Sequence, residues 1–284
     1  MNNTVRLGEL QLLARGGQSD IYAFGEGRVL RVARRPRDYD RIRYEYQVYT
    51  RLKEMHATVP QVFDLLEAEG APSISMERIS GRTLTERIAR NPLAAKASAR
   101  ELARLHAGIL AISATAPIVD SKGMSRFCVT SSTLLTDAQK AEVLGVLEHL
   151  PDGARLCHGD FHPGNIIRAQ DGDFIIDWSA ASRGDPHSDV AHTYLLLKNV
   201  PRVPGSGRLL HVIQKRIGAA IASTYLQSMC SEMAIDRALL SKWLLVKAAE
   251  RTYYGLPSEK PRLLRFITEC LGGSCEIESC WKRL

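Results

Sequence analysis

The sequence predicts an α+β chain in which a small β-rich segment, residues 1–79, precedes a larger and mostly helical one, residues 80–284. Three observations lead there. Strand-like apolar runs are concentrated before residue 80, helical spacing dominates from Leu84 onward, and a chain of 284 residues is long for one ordinary domain.

In the first segment the strand-like runs are VRLGELQLL from Val5, DIYAF from Asp20 after the pair Gly16 and Gly17, RVLRVAR from Arg28, QVFDLLE from Gln61 and SISMERI from Ser73. One helix interrupts them. In DRIRYEYQVYTRL the apolar positions Ile42, Val48, Tyr49 and Leu52 recur at helical spacing, with Glu45 in their midst. An inward carboxylate needs a partner. The join falls near Ser80 and Gly81. Beyond it PLAAKASARELARLHAGIL, TDAQKAEVLGVLEHL and RLLHVIQKRIGAAIASTYLQSM read as helices. Thr136 and Gln139 are placed for a capping box, and Ser258 for the cap of a last helix that stops at Gly272 and Gly273. No fixed-period repeat or low-complexity segment stands out.

Hydrophobic content of 45% with 24% charged residues belongs to a soluble globular chain and not a disordered one. The first residues, MNNTVRLGEL, lack the basic start and apolar centre of a signal peptide, and no run approaches the roughly 18 apolar residues of a membrane span. A cytoplasmic protein without a membrane partner is expected. The net charge of +7 permits an anionic ligand without demanding nucleic acid. Its densest cluster, Arg31, Arg34, Arg35 and Arg37, lacks the interleaved aromatics of a single-strand binder and reads as a solvated or phosphate-facing patch. Cys128, Cys157, Cys230, Cys270, Cys275 and Cys280 are expected as free thiols, and the last three do not follow a zinc spacing.

The chemistry is concentrated in LCHGDFHPGN, residues 156–165, the one strand-like interruption of the helical half. NIIRAQ, Asp171-Gly172 and DFIIDW then read as a β-hairpin, because Asp-Gly supplies the left-handed turn that matches strand twist. With Asp171 and Gly172 at the corner, facing residues sum to about 343, which puts Asn165 almost opposite Asp177. An amide oxygen and a carboxylate side by side are hard ligands suited to Mg²⁺. Either residue alone also fits a turn or an edge. A transition-metal site drawn from His158, Asp160, His162, Asp185, His187 and Asp189 is the competing reading, against which Pro163 and Gly164 argue for a loop and not a strand.

His158, Asp160 and Asn165 have the H-x-D-x-x-x-x-N spacing of the kinase catalytic loop, and Asp177 falls where that fold carries its metal-binding Asp. With ELARLHAGIL before it and GDPHSDVA after it, the chain resembles the aminoglycoside phosphotransferase and choline kinase superfamily over most of its length. The resemblance implies a two-lobed protein-kinase-like fold, with a nucleotide-binding N-lobe (1–79) and a catalytic, acceptor-binding C-lobe (80–284). Asp160 would orient the acceptor hydroxyl and take its proton, Asn165 and Asp177 would hold Mg²⁺, and Gly16, Gly17, Gln18 and Ser19 would cover the phosphates of ATP. Arg31 stands where the fold has a lysine paired with the helix carboxylate, here Glu45, and backbone groups near Glu77 and Ile79 would bind adenine. His158 would support the loop and Asp189 would accept hydrogen bonds from its backbone, while Asp185 before Pro186 reads as a helix cap.

The expected activity is ATP-dependent transfer of the γ-phosphate to a hydroxyl of a small molecule: an aminoglycoside, an amino alcohol or a sugar. The alternative is a nucleotide-binding pseudokinase that regulates a partner protein. Asp185-Pro186 follows Asp177 within eight residues, leaving no room for the activation loop of a protein-substrate kinase. Acceptor selectivity is expected in residues 190–271, flanked by VDSKGMSRFCVTSST and NVPRVPGSGR as loops. Glu232, Asp236, Glu250, Glu259 and Glu269 are the carboxylates there that a polycationic acceptor would use.

Overall fold

In the computed structural model the described residues are 5–55, 57–114, 118–199 and 208–272. Cys275, Cys280, Gly273 and most of NVPRVPGSGR lie outside them. In chain order the elements are β1 (Leu12–Arg15), β2 (Ser19–Ala23), β3 (Arg28–Ala33), α1 (Tyr39–Glu54), β4 (Val62–Ala68), β5 (Ala71–Glu77), β6 (Gly81–Thr83), α2 (Leu84–Arg90), α3 (Ala95–Leu110), α4 (Ser121–Ser131) and α5 (Asp137–Glu148). They continue with β7 (Arg155–Cys157), β8 (Ile166–Ala169), β9 (Gly172–Ile175), β10 (Ser182–Gly184), α6 (Pro186–Lys198), α7 (Arg208–Glu232), α8 (Arg237–Tyr254) and α9 (Lys260–Leu271). The α+β class is as predicted: strands predominate before residue 84 and helices after it. By contacts the chain divides into one unit of residues 1–86 and 164–181 and a second of residues 87–163 and 182–284. The β8–β9 hairpin therefore groups with the N-terminal sheet and not with the helices that flank it in sequence.

The first unit is built on an antiparallel sheet of order β1-β2-β3-β5-β4. Both faces of β3 are covered, so Val29, Leu30, Val32 and Ala33 are all buried. Leu30 and Val32 meet Ala68, with Val5, Leu7, Leu10, Tyr22 and Phe24 packed on them. Alternation turns Arg31 to the opposite face, towards α1. That helix buries Ile42, Glu45, Val48, Tyr49 and Leu52, the face its periodicity predicts. The first strand is shorter than expected. Leu7–Glu9 form a 3-10 turn closed by the Leu10 N–H on the Leu7 carbonyl, and regular pairing starts only at Leu12.

The hairpin forms, with a register two units away from the predicted one. Its pairs are Ile166 with Ile175, Ile167 with Phe174, Arg168 with Asp173 and Ala169 with Gly172. The two-residue corner is Gln170-Asp171, and Gly172 begins β9 at φ +136°, a value open to glycine and not to a residue with a Cβ. Asn165 therefore faces Ile176, whose N–H donates to its carbonyl at 2.9 Å, and Asp177 is one residue further on.

The second unit is helical apart from the short antiparallel pair β7–β10. Its caps follow side-chain chemistry. Thr136 and Gln139 make the capping box of α5, Asp185 caps α6 with Pro186 at the first position, and Asp236 caps α8. Two expectations are corrected. Residues 119–133 are not a loop: Asp120 accepts the Gly123 N–H at 2.6 Å and starts α4, whose Ser125, Cys128 and Val129 are buried. The serine-rich composition hid the inward face. The residue that precedes α9 is Glu259 and not Ser258, and it makes no side-chain cap, because its carboxylate is turned to Arg251 at 2.6 Å. No helix among the described residues is long and apolar enough to cross a membrane.

Candidate active site

In the first unit β3, α1 and the segment after the hairpin bring three charges together. Arg31 Nε lies 2.9 Å from Glu45 Oε2, and Arg31 Nη2 donates to Asp177 Oδ1 at 2.9 Å. The Glu45 contact is an ion pair without hydrogen-bond alignment. Glu45 is fully buried, Arg31 nearly so, and the Asp177 side chain is 29% exposed. One cation thus serves two carboxylates. The Glu45 carboxyl is raised to about 7: burial pushes it up most, Arg31 pulls it back and Asp177 adds to the rise. Burial by itself would lower the Arg31 guanidinium, but the fields of Glu45 and Asp177 outweigh it and raise it. The spacing of Glu45 predicted an inward carboxylate, and the resemblance named Arg31 as its partner. The second arm of Arg31, onto Asp177, was not foreseen.

Asp177 is held from several sides. It sits at φ +63°, in the left-handed region where Asp is tolerated better than most residues. Its N–H donates to the Tyr49 hydroxyl at 3.2 Å, and Ser179 Oγ donates to its Oδ1 at 2.9 Å. Tyr44, also on α1, donates its hydroxyl to the Ala181 carbonyl at 2.6 Å. Fully buried Trp178 donates from Nε1 to Ile175 O. The helix that supplies Glu45 therefore also fixes the segment that carries Asp177. Sequence reading placed Tyr49 in the apolar face and missed its hydroxyl, for which the pattern gives no signal. Asn165 is buried in the short turn that leads into β8.

The glycine loop is tied to its neighbours through carbonyls. Gly16 N–H meets Ser19 O at 2.9 Å, Arg34 Nη1 donates to Gly16 O and Arg35 Nη2 to Gly17 O, each at 2.7 Å. In a trans peptide the N–H points opposite to the C=O, so the Gly17 and Gln18 N–H groups face away from these arginines. A Cβ at Gly16 would stand 2.7 Å from Ser19 O, which keeps this position for glycine. Ser19 itself is buried at the start of β2. Arg31, Arg34 and Arg35 thus hold carboxylates and loop carbonyls, while Arg34, Arg35 and Arg37 stay exposed. Glu77 ends β5 with its N–H on Gln61 O at 2.7 Å and its Oε2 accepting the Gln61 N–H at 3.0 Å, and Ile79, two residues on, is half-buried.

In the second unit the loop after β7 carries Asp160. Asp189 accepts the His158 N–H on Oδ2 at 2.6 Å and the Gly159 N–H on Oδ1 at 2.9 Å, the backbone support expected of it. Buried His158 in turn accepts the Asp160 N–H on Nδ1 at 3.2 Å. Asp189 Oδ2 also meets His106 Nε2 at 3.0 Å, and His106 Nδ1 lies 2.6 Å from the Tyr225 hydroxyl. An ionised carboxylate only accepts, so His106 Nε2 carries a proton and donates to Asp189. Burial would raise the Asp189 carboxyl, yet the His106 hydrogen bond, the fields of His106 and His158 and the Gly159 N–H hold it well below the usual carboxylate range. His106 closes the Leu-His helix motif. The Asp160 side chain is 40% exposed, with His162 Nε2 at 3.8 Å from Oδ2.

The transition-metal reading finds no support, since Asp189 is spent on backbone N–H groups, Asp185 on the cap of α6 and His187, and no group of three His, Cys, Asp or Glu residues that could hold a metal occurs among the described residues.

Comparison with known proteins defines the class first. The chain has the fold of small-molecule kinases. It aligns with the amicoumacin kinase hAmiN in complex with AMP-PNP, Ca²⁺ and Ami at a TM-score of 0.59 and 16% identity, over 97% of this chain and 89% of that one. With a thermostable mutant of the aminoglycoside phosphotransferase APH(4)-Ia the TM-score is 0.59 at 18% identity, over 95% and 94%. With the gentamicin complex of APH(2")-IIa it is 0.54 at 19% identity, over 95% and 92%. No curated protein sequence matches. The model of the APH phosphotransferase enzyme family matches residues 9–223, and the chain belongs to that family.

Proposed function

We propose that the protein transfers the γ-phosphate of ATP to a hydroxyl of a small molecule in the cytoplasm. The observation that carries this reading is Asp160, a half-exposed carboxylate on a loop whose backbone is locked by Asp189. A base needs a fixed position and access to its substrate, and Asp160 has both. Phosphoryl transfer asks little else of side chains beyond positioning and charge neutralisation. In this reading Asp160 orients the acceptor hydroxyl and receives its proton, Arg31 with Glu45 holds phosphate charge, and the N–H groups of the Gly16–Ser19 loop cover the phosphates. Backbone groups near Glu77 and Ile79 receive adenine.

Asn165 and Asp177 suit Mg²⁺ by donor type, and Asp177 Oδ1 already faces a positive group, the Arg31 guanidinium. When bound, Mg²⁺ supplies charge neutralisation of the phosphates. Asn165 and Asp177 hold it, and Asp160 acts on the acceptor alone.

The internal pairing of carboxylates bears on the acceptor. Glu250 is buried against Lys247 at 2.7 Å and Ser125 at 2.6 Å, Glu259 is buried on Arg251, and Asp236 caps α8. Three of the five carboxylates open to a polycation are thus spent within the fold, which favours amino alcohols and sugars over aminoglycosides. The test is an ATP-consumption screen across these acceptor classes with Asp160→Ala as the blank. If no hydroxyl compound raises wild-type turnover above the blank while Mg·ATP still binds, a nucleotide-binding regulator replaces this reading.

A further inference from the structure

We infer that Arg31 and a divalent cation compete for Asp177 Oδ1, so that the cation is admitted only as nucleotide phosphates draw the guanidinium away. This rests on the reading of Asp177 as a metal ligand. The geometry distinguishes an arginine from the lysine that the kinase pattern has here. An ammonium is one point charge, whereas the guanidinium spans two acceptors with a fixed separation. Arg31 uses that span: Nε on Glu45 and Nη2 on Asp177, each at 2.9 Å.

The two ends are not equivalent. Glu45 is sealed in the core, while the Asp177 side chain keeps 29% of its surface in solvent. Exchange of partner therefore happens at Asp177, with the Glu45 end as the anchor. The oxygen concerned has no spare capacity: Asp177 Oδ1 accepts from both Arg31 Nη2 and Ser179 Oγ, and a carboxylate oxygen offers two lone pairs. The Asp177 backbone is held in place by its N–H on the Tyr49 hydroxyl. A metal that takes Oδ1 must displace a donor, and Arg31 is the one that repels it. Phosphate oxygens give the displaced Nη2 a new acceptor of the geometry a guanidinium prefers.

The experiment titrates the nucleotide-free protein with Mn²⁺ alone and reads free Mn²⁺ by electron paramagnetic resonance. The variant is the double substitution Arg31→Met with Glu45→Gln, which removes the cation and its buried counter-charge together and leaves no lone charge in the core. Loss of a charge-assisted competitor should tighten Mn²⁺ binding about tenfold or more relative to wild type. Adding Asp177→Asn should abolish that gain. Equal or weaker Mn²⁺ binding by the double variant, with Asp177→Asn still reducing it, overturns the competition. If Asp177→Asn changes Mn²⁺ binding in neither background, the metal-ligand reading of Asp177 is what fails. Should circular dichroism show the double variant unfolded, Arg31→Lys carries the same test, with tighter Mn²⁺ binding expected and unchanged affinity overturning the inference.

Discussion

Asp189 holds the backbone of His158, accepting its N–H at 2.6 Å from a helix that begins after the loop has ended. The carboxylate also accepts from Gly159 and His106, so both oxygens face donors. Asp189→Asn turns an NH₂ against one of these donors. We expect a loss of about 1–3 kcal/mol in urea unfolding, the usual cost of a buried group left unpaired, together with at least a tenfold fall in phosphoryl transfer. The wild-type carboxyl is held below its unfolded value, so its contribution is present above about pH 4 and is lost as pH falls further. The asparagine variant should lack this acid-labile component, and wild-type acid sensitivity in the variant would contradict the assignment.

If Asp160 is the base proposed above, Asp160→Ala should remove transfer and leave nucleotide affinity largely intact, since a base acts on the acceptor. Turnover within a few-fold of wild type would rule out Asp160 as the base. Asp177→Ala should instead weaken Mg·ATP binding as well as turnover, as read by calorimetry with and without Mg²⁺.

Two buried groups give stability opposite slopes with pH. His192 is lowered from 6.5 to about 4, first by burial and then by Arg251, so the unfolded chain binds the extra proton and stability falls as pH drops through that window. Glu45 is raised from 4.5 to about 7, so the folded chain binds the extra proton and stability falls as pH rises through its window. Each shift corresponds to roughly 3 kcal/mol, and the windows overlap, so the two effects largely cancel in wild type. His192→Gln should leave unfolding free energies that fall between pH 4.5 and 7. Glu45→Gln should leave values that rise between pH 4 and 6.5. Parallel profiles for the two variants would refute the assignment.

Glu250→Gln should act on stability and not on acceptor choice. Its carboxylate accepts from Lys247, Ser125 and the Tyr254 hydroxyl, and removing it leaves a buried ammonium without its counter-charge, a cost of about 3–5 kcal/mol. A lowered melting temperature with unchanged ranking of acceptors is expected. A changed ranking at unchanged stability would put Glu250 in the acceptor site.

The local rules in the sequence determined most of the elements and singled out the candidate site residues. The face of α1, the caps at Thr136 and Asp185 and the spacing from His158 to Asn165 all depend on neighbours within a few positions, where backbone geometry alone decides what meets what. Hairpin register was less legible, because Asp171-Gly172 marks a turn without saying which two residues occupy its corner. α4 was hidden for a related reason: a run of small polar residues is helical here only because Asp120 caps it and the rest of the unit buries Ser125 and Cys128.

Tertiary structure alone decided how the charges are shared. That Arg31 reaches Asp177 as well as Glu45, that Tyr49 spends its hydroxyl on the Asp177 backbone, and that Glu250 and Glu259 are paired inside the fold are all contacts between residues distant in sequence or on faces that periodicity leaves ambiguous. Composition counts charges without saying which ones face each other. Their partners follow from burial, because a charge removed from water must find an opposite one, and which one it finds depends on the packing of the whole unit.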